Sequence, residues 1–150
     1  MKFIAHRGNL NGPNMNEENS PEYILKAIQL NYDCEIDVRQ IDNQLYLGHD
    51  NPDYKINIDF LLENSKKLWI HCKNIEALGH LISYNELNIF WHQEDKYTLT
   101  SHGYIWCYPD SPVTNFKKSI LLMPEWNNYN SIKKCPGCYA VCSDYVDNIK

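Results

Sequence analysis

The chain has 150 residues, enough for one domain with a buried core, and a net charge of −5 with no basic run. That balance argues against a nucleic-acid surface, and no apolar run reaches the length of a membrane span. Met1-Lys2-Phe3-Ile4-Ala5 meets His6 and Arg7 before an apolar leader can form, so the expectation is a single-domain cytoplasmic protein that engages neither nucleic acid nor membrane.

Phe3-Ile4-Ala5 reads as a first strand. An asparagine-rich loop follows, and then Ser20 as N-cap and Pro21 in the first turn open a helix whose apolar stripe is Tyr23, Ile24, Ala27, Ile28 and Leu30. Cys34 to Val38 forms a second strand, and Asp42-Asn43 turns the chain into Leu45-Tyr46-Leu47. Leu68 to Cys72 is a third strand, followed by Ile75, Leu78, Leu81 and Ile82 at helical spacing. Later strands are Ile89–Trp91, Tyr104–Cys107, Ile120–Met123 and Ala140–Cys142.

Short apolar strands alternating with polar or helical connections predict an α/β architecture with a parallel sheet. Leaving Leu45–Leu47 aside, seven runs qualify as parallel strands. Polar residues recur at their ends: His6, Asp37, His71 with Lys73, His92, Glu125 and Asp144. Active sites of (β/α)8 barrels lie at the carboxyl ends of strands, but such barrels typically need about 250 residues. After Trp91 the strands start too close together for full-length helices between them. The expectation is therefore a compact, reduced TIM-type (β/α) barrel with helices missing or shortened in its C-terminal half. A homodimer would then cover the exposed flanks. An open doubly wound sheet fits the length better and the order of the polar clusters less well.

The cysteines read as reduced and structural. Cys34, Cys72 and Cys107 lie in apolar strands, where a thiol behaves as a small hydrophobe. Cys135-Pro136-Gly137-Cys138 lacks the second ligand pair of a zinc site and the following helix of a redox motif.

Four polar clusters carry the chemistry: His6-Arg7-Gly8, Glu18-Asn19-Ser20, Glu35-Ile36-Asp37-Val38-Arg39 and His49-Asp50. Glu35 and Asp37 alternate with Ile36 and so share one face of their strand. Two carboxylates aimed into one pocket repel unless a cation or proton intervenes, and such oxygen donors favour hard divalent ions. Read alone, E-x-D is also a common solvated strand face. His6 and His49 titrate near neutrality and suit proton transfer, and Arg7 suits a phosphate.

In this order, HRG, ENS, EIDVR and GHD, the clusters resemble the glycerophosphodiester phosphodiesterase family, within the phospholipase-C-like phosphodiesterases. The likeness covers residues 3 to 50 well, reaches residue 74 in part, and fades beyond. It implies a metal-dependent phosphoric diester hydrolase in which His6 and His49 are the acid and base. One removes a proton from a substrate hydroxyl that attacks phosphorus; the other protonates the leaving alkoxide. The resemblance makes Glu18 a third metal ligand beside Glu35 and Asp37. It puts Lys73 in the site, after a strand that reads Ile70-His71-Cys72-Lys73 where the family has a glutamate in place of His71. His71 is thus a fourth candidate ligand. The oxygen set implies Mg2+ or Ca2+, while an imidazole admits Mn2+ or Zn2+.

His92 and Trp106 are substrate-contact candidates beside Arg7 and Lys73, with Tyr108 and Glu125 near them. Cys142-Ser143-Asp144 is similar to the family's closing strand. The expected substrate is a small polar phosphodiester, glycerophosphodiester-like or derived from a surface polysaccharide. A lyase that stops at a cyclic phosphate and a non-catalytic phosphate-binding protein are the alternatives.

Overall fold

Period-two alternation of buried side chains builds a sheet with a concave and a convex face. The computed structural model describes residues 1–113 and 116–149. Its strands are β1 (Lys2–His6), β2 (Asp33–Ile41), β3 (Gln44–Leu47), β4 (Tyr54–Ile56), β5 (Leu68–Cys72), β6 (Ile89–Phe90), β7 (Tyr97–Leu99), β8 (Ile105–Cys107), β9 (Ser119–Leu122) and β10 (Ala140–Ser143). The α-helices are α1 (Pro21–Gln29), α2 (Ile58–Glu63), α3 (Ile75–Leu81), α4 (Asn130–Lys134) and α5 (Val146–Ile149). Ser20 caps α1 by accepting from the Tyr23 amide, and Asn57 and Asn74 cap α2 and α3 in the same way. Among the described residues no helix is long and apolar enough to cross a membrane.

All ten strands belong to one mixed sheet. Ladders join β6, β5, β2, β1, β10, β9 and β8 in that order, each pair parallel. The register sets His6 beside Glu35 and Asp37 beside His71. Beyond His6, β1 leaves the edge of β2, and β3 takes it in antiparallel pairing from Val38 to Ile41, with β4 antiparallel beyond. At the other end β7 runs antiparallel to β8.

The reduced (β/α) barrel expected from the sequence is not formed. The molecule is a curled, open, mixed α/β sheet with a few short helices, and helices do not alternate with strands around it. The reason lies in the connections. The segment from Phe90 to Tyr97 and that from Leu99 to Ile105 hold no helix, and a hairpin strand fills the space instead. The gap between β6 and the β7–β8 unit is crossed by hydrogen bonds rather than a ladder: Ser101 N to Ile89 O, Ile89 N to Ser101 Oγ, and Thr98 Oγ1 to Trp91 O.

The convex face carries Ala5, Cys34, Ile36, Val38, Ile70 and Cys72 against Ile24 and Ala27 of α1, Leu61 of α2, and Ala77 and Leu81 of α3. The concave face is floored by Ile4, Trp69, Phe90, Trp106, Ile120, Ala140 and Cys142. Beneath this floor the buried Asp33 carboxylate binds Lys2 and Lys67 and accepts from the Trp69 indole. Above it, toward the carboxyl ends of the parallel strands, the same faces become polar.

Cys135 and Cys138 form a disulfide across their turn, against the reduced state expected. The turn brings their Cα atoms to 5.6 Å, within reach of a bond, and both side chains pack on Leu121 and Val141. Cys34, Cys72, Cys107 and Cys142 are free thiols, all buried.

Candidate functional site

A cavity of about 620 Å³ opens above the floor of the concave face. His6, Arg7, Glu18, Glu35, Asp37, His49, His71, Lys73, His92 and Trp106 all line it. Parallel strands explain the convergence, because successive strands present their carboxyl ends on one side. His6 ends β1, Glu35 and Asp37 lie on β2, His71 on β5 with Lys73 just past it, and His92 lies just past β6.

Glu35, Asp37 and His71 are buried, and each offers a ligand atom within 4.8 Å of the others. Asp37 is saturated. Its Oδ1 lies 3.1 Å from His71 Nδ1 and 3.7 Å from Lys73 Nζ. Its Oδ2 accepts from Asn19 Nδ2 at 3.0 Å and lies 3.1 Å from Arg7 Nε, close enough for an ion pair but off the angle of a hydrogen bond. Glu35 is the reverse case, since its buried Oε2 accepts no hydrogen bond. Burial and the neighbouring Asp37 charge raise the Glu35 carboxyl above its ordinary pKa. For Asp37, burial is overcome by the His71 hydrogen bond and the Arg7 charge, which hold it well below the usual carboxylate range.

These residues fit a divalent cation. Glu35 leaves an oxygen unused, and the cavity holds four carboxylates (Glu18, Glu35, Asp37, Asp144) against two permanent cations (Arg7, Lys73). With neutral imidazoles, that is a surplus of two negative charges. Glu18, expected as a ligand, lies outside the group of three: its carboxylate accepts from Arg7 Nη1 at 3.2 Å and Asn9 Nδ2 at 2.9 Å. Those two donors turn it into a brace for the arginine.

His6 donates from Nδ1 to Asp144 Oδ1 at 2.8 Å, which leaves its Nε2 3.9 Å from Glu35 Oε2. Burial alone would lower the His6 pKa, but the Asp144 hydrogen bond and the Glu35 charge outweigh it, and the net shift is upward. Asn9 Nδ2 donates to Asp144 Oδ1 as well, so one amide ties this pair to Glu18. Burial, the Asp144 carboxylate's own opposing influence, is overcome by the His6 contact, which keeps its pKa below the ordinary value.

His49 reaches the cavity from the loop after β3. Gly48 makes this turn, with φ +139° and an ideal Cβ that would lie 2.0 Å from the Asn51 carbonyl oxygen. Arg39 holds the loop by donating to the Gly48 and His49 carbonyls. His49 Nδ1 contacts Asp50 Oδ1 at 2.8 Å. Its pKa is lowered, chiefly by burial and then by Arg7 and Lys73 against the pull of Asp37. His92 stacks on His71 at 4.6 Å between ring centres, and burial followed by His71 lowers its pKa too.

Trp106 is buried in the floor and stacks on Phe90, so little of its ring is open to the cavity. Tyr108 is exposed and lies outside the lining. Glu125 accepts from Ser143 Oγ at 2.9 Å and the Asp144 amide at 3.0 Å, which fixes the aspartate that holds His6. Sequence reasoning assigned no role to Asn9, Asn19, Arg39 or Trp126, and named Asp144 only among the polar residues at strand ends and in the closing strand. Asp144 carried a usable signal, because it follows a strand end just as His6 does. The others act through contacts far apart in sequence.

No protein-family model matches this chain, and no curated protein matches it significantly.

Proposed function

We propose that this chain is a metal-dependent phosphodiesterase of the glycerophosphodiester type, acting on a small polar diester by two-histidine acid–base chemistry. One observation carries the reading: ten residues spread from position 6 to position 106 converge on one cavity with the chemistry a phosphodiester requires. Glu35, Asp37 and His71 would hold the cation. When bound, it would neutralise charge on the phosphoryl oxygens.

The remaining work falls to the chain itself. Arg7, braced by Glu18 and Asp37, and Lys73 attract the phosphate into the cavity. One imidazole accepts the proton of a substrate hydroxyl adjacent to the linkage as that oxygen bonds to phosphorus. The second imidazole gives its proton to the departing alkoxide as the old P–O bond breaks. A cyclic phosphate results, and water opens it with the two proton transfers reversed. Asp144 fixes the His6 tautomer with Nε2 turned away from the shared hydrogen bond. Gly48 and Arg39 position the backbone that carries His49, and the Asp50 carboxylate lies 2.8 Å from its Nδ1.

The test is cleavage of glycerophosphodiesters by the purified protein with Mg2+, Mn2+, Ca2+, Zn2+ or EDTA, beside His6→Ala and His49→Ala. Metal-dependent turnover lost in both variants supports the reading, and phosphorus NMR of the product separates hydrolysis from arrest at the cyclic ester. Turnover that survives EDTA or both substitutions would sink it.

A further inference from the structure

The cavity does not end at its catalytic groups. A second cavity of about 440 Å³ adjoins it, and the two share Arg7, Met15, Glu18 and His49 as common lining. The phosphate-attracting arginine and one proton-transfer histidine thus stand on a divide with a compartment on either side. The two compartments differ in character. The second is polar, lined by Asn16, Asn51, Asp50 and Asp53, side chains that pair with hydroxyl groups as donors or acceptors. The first has an aromatic rim, where Trp126 is 63 % exposed, with Met15, 80 % exposed, also in the lining.

Trp126 is not loose. It sits on a 3-10 turn, Pro124–Asn127, entered through Met123 and left through Asn128, both left-handed. Glu125 ties the turn to Ser143 and Asp144, and Asn127 Nδ2 donates to Asp110 Oδ1 at 2.6 Å. A turn held by these bonds that leaves an indole exposed in a cavity lining presents apolar surface for a ligand to cover. The first cavity alone falls in the roughly 300–1,000 Å³ range of pockets that enclose drug-sized ligands. Glycerol with ethanolamine or choline would leave most of that space empty. Among the described residues Arg7 and Lys73 are the only permanent cations lining either cavity, and with Asp50 and Asp53 in the second, ligands with further phosphates are disfavoured.

We propose that the diester joins two polyhydroxylated alcohols and that at least one is a sugar ring, stacked by its C–H face on Trp126 while the other arm is hydrogen-bonded in the Asn16–Asn51–Asp53 groove. This rests on the phosphodiesterase reading and names its substrate class. A quaternary ammonium group would need several ring faces around it, whereas Trp126 stands at the rim without a ring partner among the described residues.

The test measures binding and cleavage separately. Calorimetric titration in EDTA, where turnover is blocked, compares a glycerol–phosphate–glucose diester, a glycerol–phosphate–glycerol diester and glycerophosphocholine. The wild type binds the glucosyl diester about tenfold more tightly than the others, and Trp126→Ala, at an exposed site, removes that preference without unfolding the protein. Asn51→Ala weakens all polyol diesters together. Equal affinities in the wild type, or a preference unmoved by Trp126→Ala, would overturn the assignment. A preference for the choline diester would overturn it too. Cleavage of any of the three with metal present would leave the phosphodiesterase reading standing in those cases, whereas failure to bind or cleave any would remove both.

Discussion

Replacing Glu35 by glutamine should have opposite effects with and without metal. Glu35 is 3 % exposed, its Oε2 has no hydrogen-bond partner, and Asp37 is its neighbour on the same strand face. In metal-free protein the ionised form of this carboxylate therefore costs stability. The sign follows from its raised pKa. Such a group stabilises the fold below its unfolded value near 4.5 and loses that contribution as pH rises through the folded value. Glutamine imitates the protonated form. An unsatisfied buried polar group costs about 1–3 kcal/mol, and a domain of this length shifts by roughly 2–4 °C per kcal/mol, so Glu35→Gln should raise the metal-free Tm by about 6 °C. A divalent ion at a hundred times its Kd stabilises the native wild type by about 2.7 kcal/mol, or roughly 8 °C. The variant, left with one neutral oxygen at this position, should lose most of that increment. Scanning calorimetry at pH 7 in EDTA, then with Mn2+ or Mg2+ added, reads both effects. A variant less stable than wild type in EDTA, or one that keeps the full metal increment, would refute the reasoning.

Three further outcomes are expected. In metal-free protein, His6 should titrate above 6.5 by NMR and titrate lower in Asp144→Asn, because only the Glu35 charge then opposes burial; an unchanged value would mean that the 2.8 Å contact is not the cause. Gly48→Ala places a methyl group against the Asn51 carbonyl at a φ that side chains rarely adopt, so it should cost about 1–3 kcal/mol in urea unfolding and reduce turnover by misplacing His49. Full activity in that variant would show that the loop tolerates the shift. Tyr32 donates to Asp147 at 2.6 Å, and burial followed by that contact raises its pKa to about 12. Its contribution to stability is present below pH 10 and is lost as pH rises toward 12, so Tyr32→Phe should lose that part of the alkaline dependence of unfolding.

The strands were legible because apolar runs of four or five residues leave little choice of local structure. Leu68 to Cys72 appears as read, and so does the Ser20 cap of α1. The candidate site was legible for a related reason: polar residues at the ends of apolar strands, such as His6 and His71, have few positions besides a common rim. What failed was closure. Nothing local to Tyr97–Leu99 says that it runs antiparallel to β8, or that bonds from Ser101 and Thr98 replace a ladder next to β6. Sheet curvature and pairing are settled by contacts between distant segments.

The same division holds inside the site. The sequence by itself determined which groups would meet, because strand direction and period-two alternation place His6, Glu35, Asp37 and His71 on one face at one end. Only the tertiary structure decided what each group is free to do. It gives Asp37 two hydrogen bonds and two nearby cations, leaves one Glu35 oxygen unpaired, and gives Glu18 to Arg7 and Asn9. Hydrogen-bond partners and the burial that shifts a pKa belong to the three-dimensional neighbourhood, and residues 9, 18, 37 and 144 become neighbours only when the sheet curls.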